Sequence, residues 1–232
     1  MGRVVSLSEV LTKIKDDMKI MIGGFMSCGA PRTLIKGIVE KNYKNLTIVS
    51  SDTGRPNDGT GRLICNGQVK KLFASHIGLN PETGKQMNSG ELEVILTPQG
   101  TLAEKIRAAG SGLGGFLTPT GIGTIVEENK KIIEIDGKKY LLELPLSADI
   151  ALIKAWKADK KGNLTYRKSA RNFNPLMAMA ADIVIVEAEE ILEVGEIDPD
   201  QVMTSSIFVD YIVRGENNEY WNKKEDNNKK NC

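Results

Sequence analysis

A glycine-rich run near the start of the chain has the residue types and spacing of an anion-binding loop. The apolar stretch Ile20–Ile22 leads directly into Gly23 and Gly24. Gly29 follows, and Pro31 is suited to the first turn of a helix. Glycines let the main chain approach a ligand closely, and a strand–loop–helix junction exposes backbone N–H groups at the positive end of the helix. The run therefore predicts an anion site, with a ligand-free tight turn as the alternative.

Two other residues could take part in chemistry, a cysteine in this loop and the single histidine of the chain. A catalytic thiolate needs a base or an electropositive setting, and no histidine lies near Cys28 in sequence. Cys28 is therefore predicted to fill the turn, and His76 to be a hydrogen-bonded structural residue. Asp52, His76 and Asn80, in loops at strand ends, could also shape a subunit interface. One histidine and three cysteines without ligand spacing predict no metal site.

Composition excludes several classes of partner and location. The chain has 31 Lys and Arg against 30 Asp and Glu, so it offers no basic excess for nucleic acid or a membrane surface. Aromatic residues, at 5%, are too few for a base-stacking platform. We expect no signal peptide or membrane span, and we expect free thiols in a reducing compartment. A cytoplasmic protein is predicted.

Along the sequence, short apolar runs typical of buried strands alternate with patterns typical of amphipathic helices, and these elements must position the loop. A first helix is predicted to be capped by Ser8, and Asp136-Gly137 predicts a hairpin between 132–134 and 140–143. Further strands are predicted at 19–22, 46–51, 69–74, 92–96, 150–156 and 183–187, and further helices at 31–40, 101–109 and 170–181. This order predicts an α/β fold with a mostly parallel sheet flanked by helices and a local β-hairpin.

The loop and several other segments resemble the alpha subunits of family I coenzyme A transferases. The family signature is an acidic residue, three apolar positions, Gly-Gly-Phe, three variable residues, Gly, one variable residue and Pro. The chain matches it at Asp16, Ile20–Ile22, Gly23–Phe25, Gly29 and Pro31. Asp17 departs from it, since the family often has Gly or Asn there, and we expect only a turn to be affected. Segments 45–53, 74–84, 98–102, 110–121 and 169–175 extend the resemblance through about residue 213.

The resemblance implies that coenzyme A is bound as a substrate, with no permanently bound cofactor. It assigns CoA binding to the loop residues Gly23, Gly24, Phe25, Met26, Ser27, Cys28 and Gly29. Gly24 and Phe25 are the predicted N–H donors to the oxygen that gains charge when the thioester is attacked. Gln99, Gly115 and Phe116 are further candidates for contact with the substrate. An ordinary loop role is an open alternative for Gln99.

The family also implies a division of labour between two chains. Its nucleophile is a glutamate in a Ser-Glu-Asn-Gly type motif, which attacks an acyl-CoA and then carries CoA as a glutamyl thioester in ping-pong kinetics. This motif is absent here, so no catalytic residue is predicted in the chain and a beta subunit is expected to supply the glutamate. The expected assembly is an α2β2 heterotetramer acting on acyl-CoA and short-chain acids such as acetate, butyrate and acetoacetate.

The sequence leaves two other interpretations open. The glycines of 110–115 satisfy a dinucleotide-binding pattern, but they follow a predicted helix rather than a strand, which disfavours it. A stand-alone module that binds nucleotides or CoA without transferase activity is the alternative function. Residues 1–213 are predicted to form one transferase subunit domain. Residues 214–232 are polar and are predicted to form a disordered tail.

Overall fold

The computed structural model describes residues 2–216. The strands are β1 Arg3–Val4, β2 Lys19–Ile22, β3 Leu46–Val49, β4 Val69–Ala74, β5 Glu93–Leu96, β6 Phe116–Thr118, β7 Ile132–Ile135, β8 Lys138–Glu143, β9 Ala148–Asp159, β10 Leu164–Thr165, β11 Ala181–Leu192 and β12 Tyr211–Arg214. The α-helices are α1 Leu7–Leu11, α2 Arg32–Lys41, α3 Gly61–Cys65, α4 Pro81–Ser89, α5 Gln99–Gly110 and α6 Asn174–Ala178. The predicted α/β class is confirmed.

The main sheet has the order β1-β12-β11-β9-β2-β3-β4-β5, and every neighbouring pair in it is parallel. β10 pairs antiparallel with β9. Strands β2, β3, β4 and β5 follow one another outward in the sheet, and β9 then pairs with the other side of β2. The order of the sheet therefore reverses at β2 and β9, the kind of switch point where open α/β sheets leave a crevice for ligands.

Successive residues of the strands point to opposite faces of the sheet and pack into a hydrophobic core on each face. Ile20 and Ile22 of β2 pack with α1, α2 and α3, whereas Met21 packs on the opposite face with α5 and α6. This two-residue period buries both faces of β2, as expected for a parallel strand between helical layers. The strand that carries the glycine loop is thus held at the centre of the molecule.

The predicted hairpin is confirmed and belongs to a separate three-stranded antiparallel sheet of order β6-β8-β7. Asp136 and Gly137 form its turn, with φ angles of 50° and 72°. Positive φ at both central residues is the geometry that matches the twist of the paired strands. No helix of residues 2–216 is both long and apolar enough to cross a bilayer.

Several predicted boundaries were wrong. The hydroxyl of Ser6, not Ser8, accepts the Glu9 N–H and caps α1. The helix predicted at 170–181 is a 3-10 turn, Lys168–Arg171, followed by the short α6. Pro175 is tolerated only in the first turn of a helix, so α6 begins no earlier than Asn174. The helix predicted at 101–109 begins two residues earlier.

Two details concern positions singled out in the sequence. Asp17 has a φ of 64° in the turn before β2, a left-handed conformation that Gly and Asn adopt readily and Asp tolerates. In the tail predicted for 214–232, Arg214 ends β12, Gly215 donates its N–H to the Ala188 carbonyl, and the Glu216 N–H donates to Thr33. Residues 217–232 lie outside the described part of the chain, so the predicted disorder and the domain boundary stay predictions.

Candidate functional site

The glycine run follows β2 at the carboxyl edge of the sheet, next to the switch point. The Gly23 N–H still donates to the Leu152 carbonyl of β9 at 2.9 Å, so the loop starts as a continuation of the sheet. It then turns back on itself: Phe25 donates its N–H to the Cys28 carbonyl at 3.0 Å, and Cys28 donates to Phe25 at 2.9 Å. Segment 23–29 is therefore a small hairpin rather than an open turn.

The corner of this hairpin is strained. Met26 and Ser27 have φ angles of 48° and 64°, in the left-handed region that costs about 1–2 kcal/mol for a residue other than glycine. Strain of this kind persists only where the surroundings fix the conformation. Here the Met26 N–H donates to the buried carboxylate of Asp52 at 2.7 Å, and the other oxygen of Asp52 accepts from Gly54 at 2.8 Å.

A second contact holds the corner from the other side. Arg32 donates through Nε and an NH2 group to the two oxygens of Asp58, at 2.7 and 2.9 Å, and to the Ser27 carbonyl at 3.0 Å. Burial raises the pKa of Asp58, but the bonds from Arg32 outweigh that effect and leave the pKa below its ordinary value. The carboxylate therefore stays ionised, and the loop is fixed by two acid groups that the sequence analysis did not identify as its partners.

The start of helix α2 differs from the sequence prediction. The Thr33 and Leu34 N–H groups, expected to be open to an anion, donate to Oε2 of Glu187 at 2.7 and 3.3 Å. Glu187 lies on β11 and is 1% exposed. Burial raises its pKa, and Lys154 and the two helix N–H groups lower it only in part. The positive end of α2 is therefore occupied by a side chain of the protein itself.

The loop amides are the donors that remain. Within residues 2–216, the N–H groups of Gly24, Ser27 and Gly29 meet no acceptor with hydrogen-bond geometry, whereas the Phe25 N–H is bonded to Cys28. Of the two donors predicted for the oxyanion, the Gly24 N–H is thus unclaimed and the Phe25 N–H is engaged.

The loop borders a small polar cleft. One side consists of Gly23, Gly24 and Ser27, and the other consists of Asp52, Gly54 and Gly59 on the segment that follows β3. The space measures about 210 Å³, open solvent included. Most of that space is open solvent, and the enclosed part has room for about one water molecule. The cleft can therefore take a single small polar group of a ligand but not a whole cofactor the size of coenzyme A.

The other predicted contact residues lie elsewhere. Gln99 is the exposed first residue of α5, beyond the end of β5, and β5 is three strands away from β2, or about 14 Å at normal strand spacing. Gly115 and Phe116 lie at the start of the small sheet. None of these three lines the cleft. The glycines of 110–115 do follow a helix, as predicted, which argues against a dinucleotide site.

Cys28 and the polar residues at the strand ends have structural contacts. The Cys28 thiol is exposed and lies 3.5 Å from the Ser169 hydroxyl. His76 is exposed and forms a parallel β-bridge with Asp52. Asn80 accepts the Glu82 N–H and caps α4. The contact of Cys28 suits the turn-filling role predicted for it. Within residues 2–216 the His76 side chain forms no hydrogen bond, so its hydrogen-bonded role and an interface role for the strand-end residues stay predictions.

Comparison with known proteins agrees with this architecture. The model of the family described as Coenzyme A transferase matches residues 4–215. Acetate CoA-transferase subunit alpha of Escherichia coli K12 is 52% identical over 91% of this chain and 96% of its own. The acetoacetyl-CoA:acetate/butyrate CoA transferase alpha subunit of Clostridium acetobutylicum is 54% identical over 92% and 98%.

Solved structures share the fold at low sequence identity. An acyl-CoA transferase from Escherichia coli O157:H7, described as a thioester complex with CoA, superposes with a TM-score of 0.80 at 24% identity and covers 92% of this chain. Only 47% of that longer chain is matched, so the present chain spans about half its length. Glutaconate coenzyme A-transferase from Acidaminococcus fermentans gives a TM-score of 0.80 at 21% identity, over 92% of this chain and 75% of its own. The chain belongs to the coenzyme A transferase family.

Proposed function

We propose that this chain is the alpha subunit of a CoA-transferase that moves coenzyme A between acetate, acetoacetate and other short-chain acids. The two relatives above, 52% and 54% identical over nearly their whole length, are both named as alpha subunits of such enzymes. A cytoplasmic location is part of the proposal, and the free thiols of Cys28 and Cys65 are typical of a reducing compartment.

In this proposal the nucleophilic glutamate belongs to a beta subunit. The Glu-Asn pairs of this chain are poor candidates, because Glu128 is on the exposed surface and Glu216 pairs with Lys36 at 3.2 Å, and neither lines the cleft. Glu187 is buried beneath α2 and cannot reach a substrate. A chain that matches 47% of a longer transferase chain is consistent with a second subunit that provides the rest.

The observation that carries the proposal is the unclaimed N–H of Gly24, a residue that lines the cleft in a loop held by Asp52 and Arg32. When a carboxylate attacks an acyl-CoA, the thioester carbonyl oxygen gains negative charge, and a fixed N–H donor stabilises it. One such donor typically lowers the barrier by about 2.7–4 kcal/mol. The donor costs nothing to orient at the moment of reaction, because Asp52, Arg32 and the β2–β9 pairing already hold the loop.

The size of the cleft sets which part of coenzyme A this chain would hold. The enclosed part of the cleft has room for about one water-sized group, which suits the thioester oxygen, and the acyl chain and the rest of coenzyme A would extend out along the loop towards the partner. Because the acyl pocket would then be shared with the beta subunit, the choice between acetate, butyrate and acetoacetate would depend on both chains.

Co-expression with the beta chain of the same organism, followed by CoA-exchange assays over these three acids, tests the function. Borohydride treatment of the acyl-CoA-loaded enzyme should modify a glutamate of the beta chain, and size measurement should give two copies of each chain. Modification of the present chain instead would refute the division of labour. A chain that binds CoA while no pairing supports exchange would favour a stand-alone binding module.

A further inference from the structure

Two asparagines near the start of α6 contact the far end of the glycine loop. Asn172 and Asn174, here called the asparagine pair, are separated from the loop by more than 140 residues of sequence. Asn172 donates through Nδ2 to the Cys28 carbonyl at 2.9 Å and to the Ser169 carbonyl at 2.7 Å. Asn174 repeats this arrangement one residue further along both segments.

Asn174 donates through Nδ2 to the Gly29 carbonyl at 3.1 Å and to the Ala170 carbonyl at 2.8 Å. Its Oδ1 accepts the Lys154 N–H of β9 at 3.0 Å. Asn174 is fully buried, and both of its N–H donors and its carbonyl oxygen are used. The pair therefore ties the loop to the 3-10 turn Lys168–Arg171, and Asn174 ties both to the sheet.

The same side chain explains why the loop needs glycine at its beginning. A Cβ on Gly23 would lie 1.8 Å from Oδ1 of Asn174, and a Cβ on Gly29 would lie 3.0 Å from its Nδ2. Both ends of segment 23–29 therefore lie against the side-chain amide of Asn174. Any residue other than glycine at position 23 would displace Asn174 and release its three hydrogen bonds.

Peptide geometry turns these contacts into an effect on the loop donors. Each peptide unit is planar, and residues 2–216 contain no cis bond, so a carbonyl and the next N–H point in opposite directions. The bonds from Asn172 and Phe25 fix the Cys28 carbonyl and thereby fix the direction of the Gly29 N–H, one of the three unclaimed donors.

We propose that Asn172 and Asn174 are positioning residues that set the orientation of the N–H donors of the Gly23–Gly29 loop for the transferase reaction. The inference rests on the proposed function. The pair does not touch the substrate; it acts through the Cys28 and Gly29 carbonyls. Asn172 aims the Gly29 amide, and Asn174 holds the two ends of the loop together against β9.

Asn172→Ala in the assembled enzyme tests the proposal, because Asn172 is only half-buried and its loss leaves the core intact. We expect kcat to fall about 10–100-fold, the range for a misplaced catalytic group, with a much smaller change in KM for acyl-CoA. The matched control is Asn66→Ala. Its Nδ2 also bridges two oxygens, those of Gln68 and Asn42, but it lies before β4 at the opposite edge of the sheet.

Two further readouts separate positioning from folding and from the proposed function itself. Borohydride trapping counts competent sites, and the kcat of Asn172→Ala should stay low per trapped site. A loss explained by fewer sites would overturn the inference. A crystal structure of the Asn172→Ala chain should show the Cys28–Gly29 peptide rotated or in two orientations. An unmoved peptide with activity equal to that of Asn66→Ala would also overturn the inference. If the peptide moves in Asn172→Ala but the unmodified assembled enzyme has no exchange activity, only the proposed function is refuted.

Discussion

At the scale of single residues, the site depends on which amides are bonded and which are not. The loop satisfies the Phe25 and Met26 N–H groups within the protein and leaves the N–H of Gly24, which lines the cleft, without an acceptor. Gly24 has a φ of 125°, a conformation that side-chain-bearing residues rarely adopt. Its lack of a side chain is therefore needed for the backbone direction as well as for space.

Gly24→Ala should reduce the kcat of the assembled transferase by about 100-fold or more, the usual effect of losing one oxyanion donor. The added Cβ would approach Ala30 to 3.2 Å and the backbone would rotate away from φ 125°. Steady-state exchange kinetics would measure the loss. Gly84→Ala is the control, since Gly84 lies in α4 with nothing within 4 Å of the new Cβ. Equal kcat values for the two variants would show that Gly24 is not the donor.

At the scale of elements, the Glu187 carboxylate links the start of α2 to β11. It takes the place where the sequence predicts a bound anion. A buried acid with a raised pKa stabilises the fold fully below its unfolded pKa, about 4.3, and loses that contribution as the pH rises through the folded value. The helix N–H groups and Lys154 compensate only part of the cost of ionisation.

Glu187→Gln should therefore become more stable relative to the unmodified chain as the pH is raised from about 5 to 8, because Gln still accepts the Thr33 N–H and does not ionise. Urea unfolding at both pH values gives the free energies to compare. Glu190→Gln serves as the control, since Glu190 lies on the same strand but is about half exposed beside Lys157. A stability difference that is the same at both pH values would contradict the predicted pKa direction.

The elements that the sequence predicted best are those with strong local patterns. β2 and β4 have the predicted bounds, because apolar runs such as Lys19–Ile22 are closed by turn residues. The two-residue strands β1 and β10 have no detectable pattern, and their existence depends on neighbours. The same holds for the site. The glycine loop was visible in the sequence, but Glu187 reaches the start of α2 over 154 residues and Asn174 reaches the loop over 145, separations that no local pattern encodes.

At the scale of the whole molecule, the small sheet is joined to the main body by a buried ion cluster. Glu143 at the end of β8 accepts from Lys105 of α5 at 2.9 Å and from Lys130, and its side chain is 2% exposed. Burial opposes ionisation of Glu143, but the hydrogen bonds from Lys130 and Lys105 outweigh it and lower the pKa. The cluster thus contributes most where the carboxylate is charged.

Glu143→Gln should lower the free energy of unfolding by about 3–5 kcal/mol at neutral pH, since it leaves two lysines without their counter-charge. The deficit should shrink in acid, because a group with a depressed pKa loses its stabilisation as the pH falls through the folded value. Denaturant titrations at pH 7 and pH 4 would measure it, with the exposed Glu134→Gln on β7 as the control. A deficit that grows in acid would refute the ionised cluster.

The unequal length of the strands also determines how the site can be approached. β2 to β5 all end within a short distance of the loop level, whereas β9 and β11 stay paired to Asp159 and Leu192. From Leu152, the partner of Ile22, β9 extends seven more residues, or about 23 Å. On one flank of the glycine loop the paired strands β9 and β11 therefore project beyond it. On the other flank, here called the low flank, β3, β4 and β5 end near the level of the loop. We therefore expect the beta subunit proposed above to approach the glycine loop from the low flank.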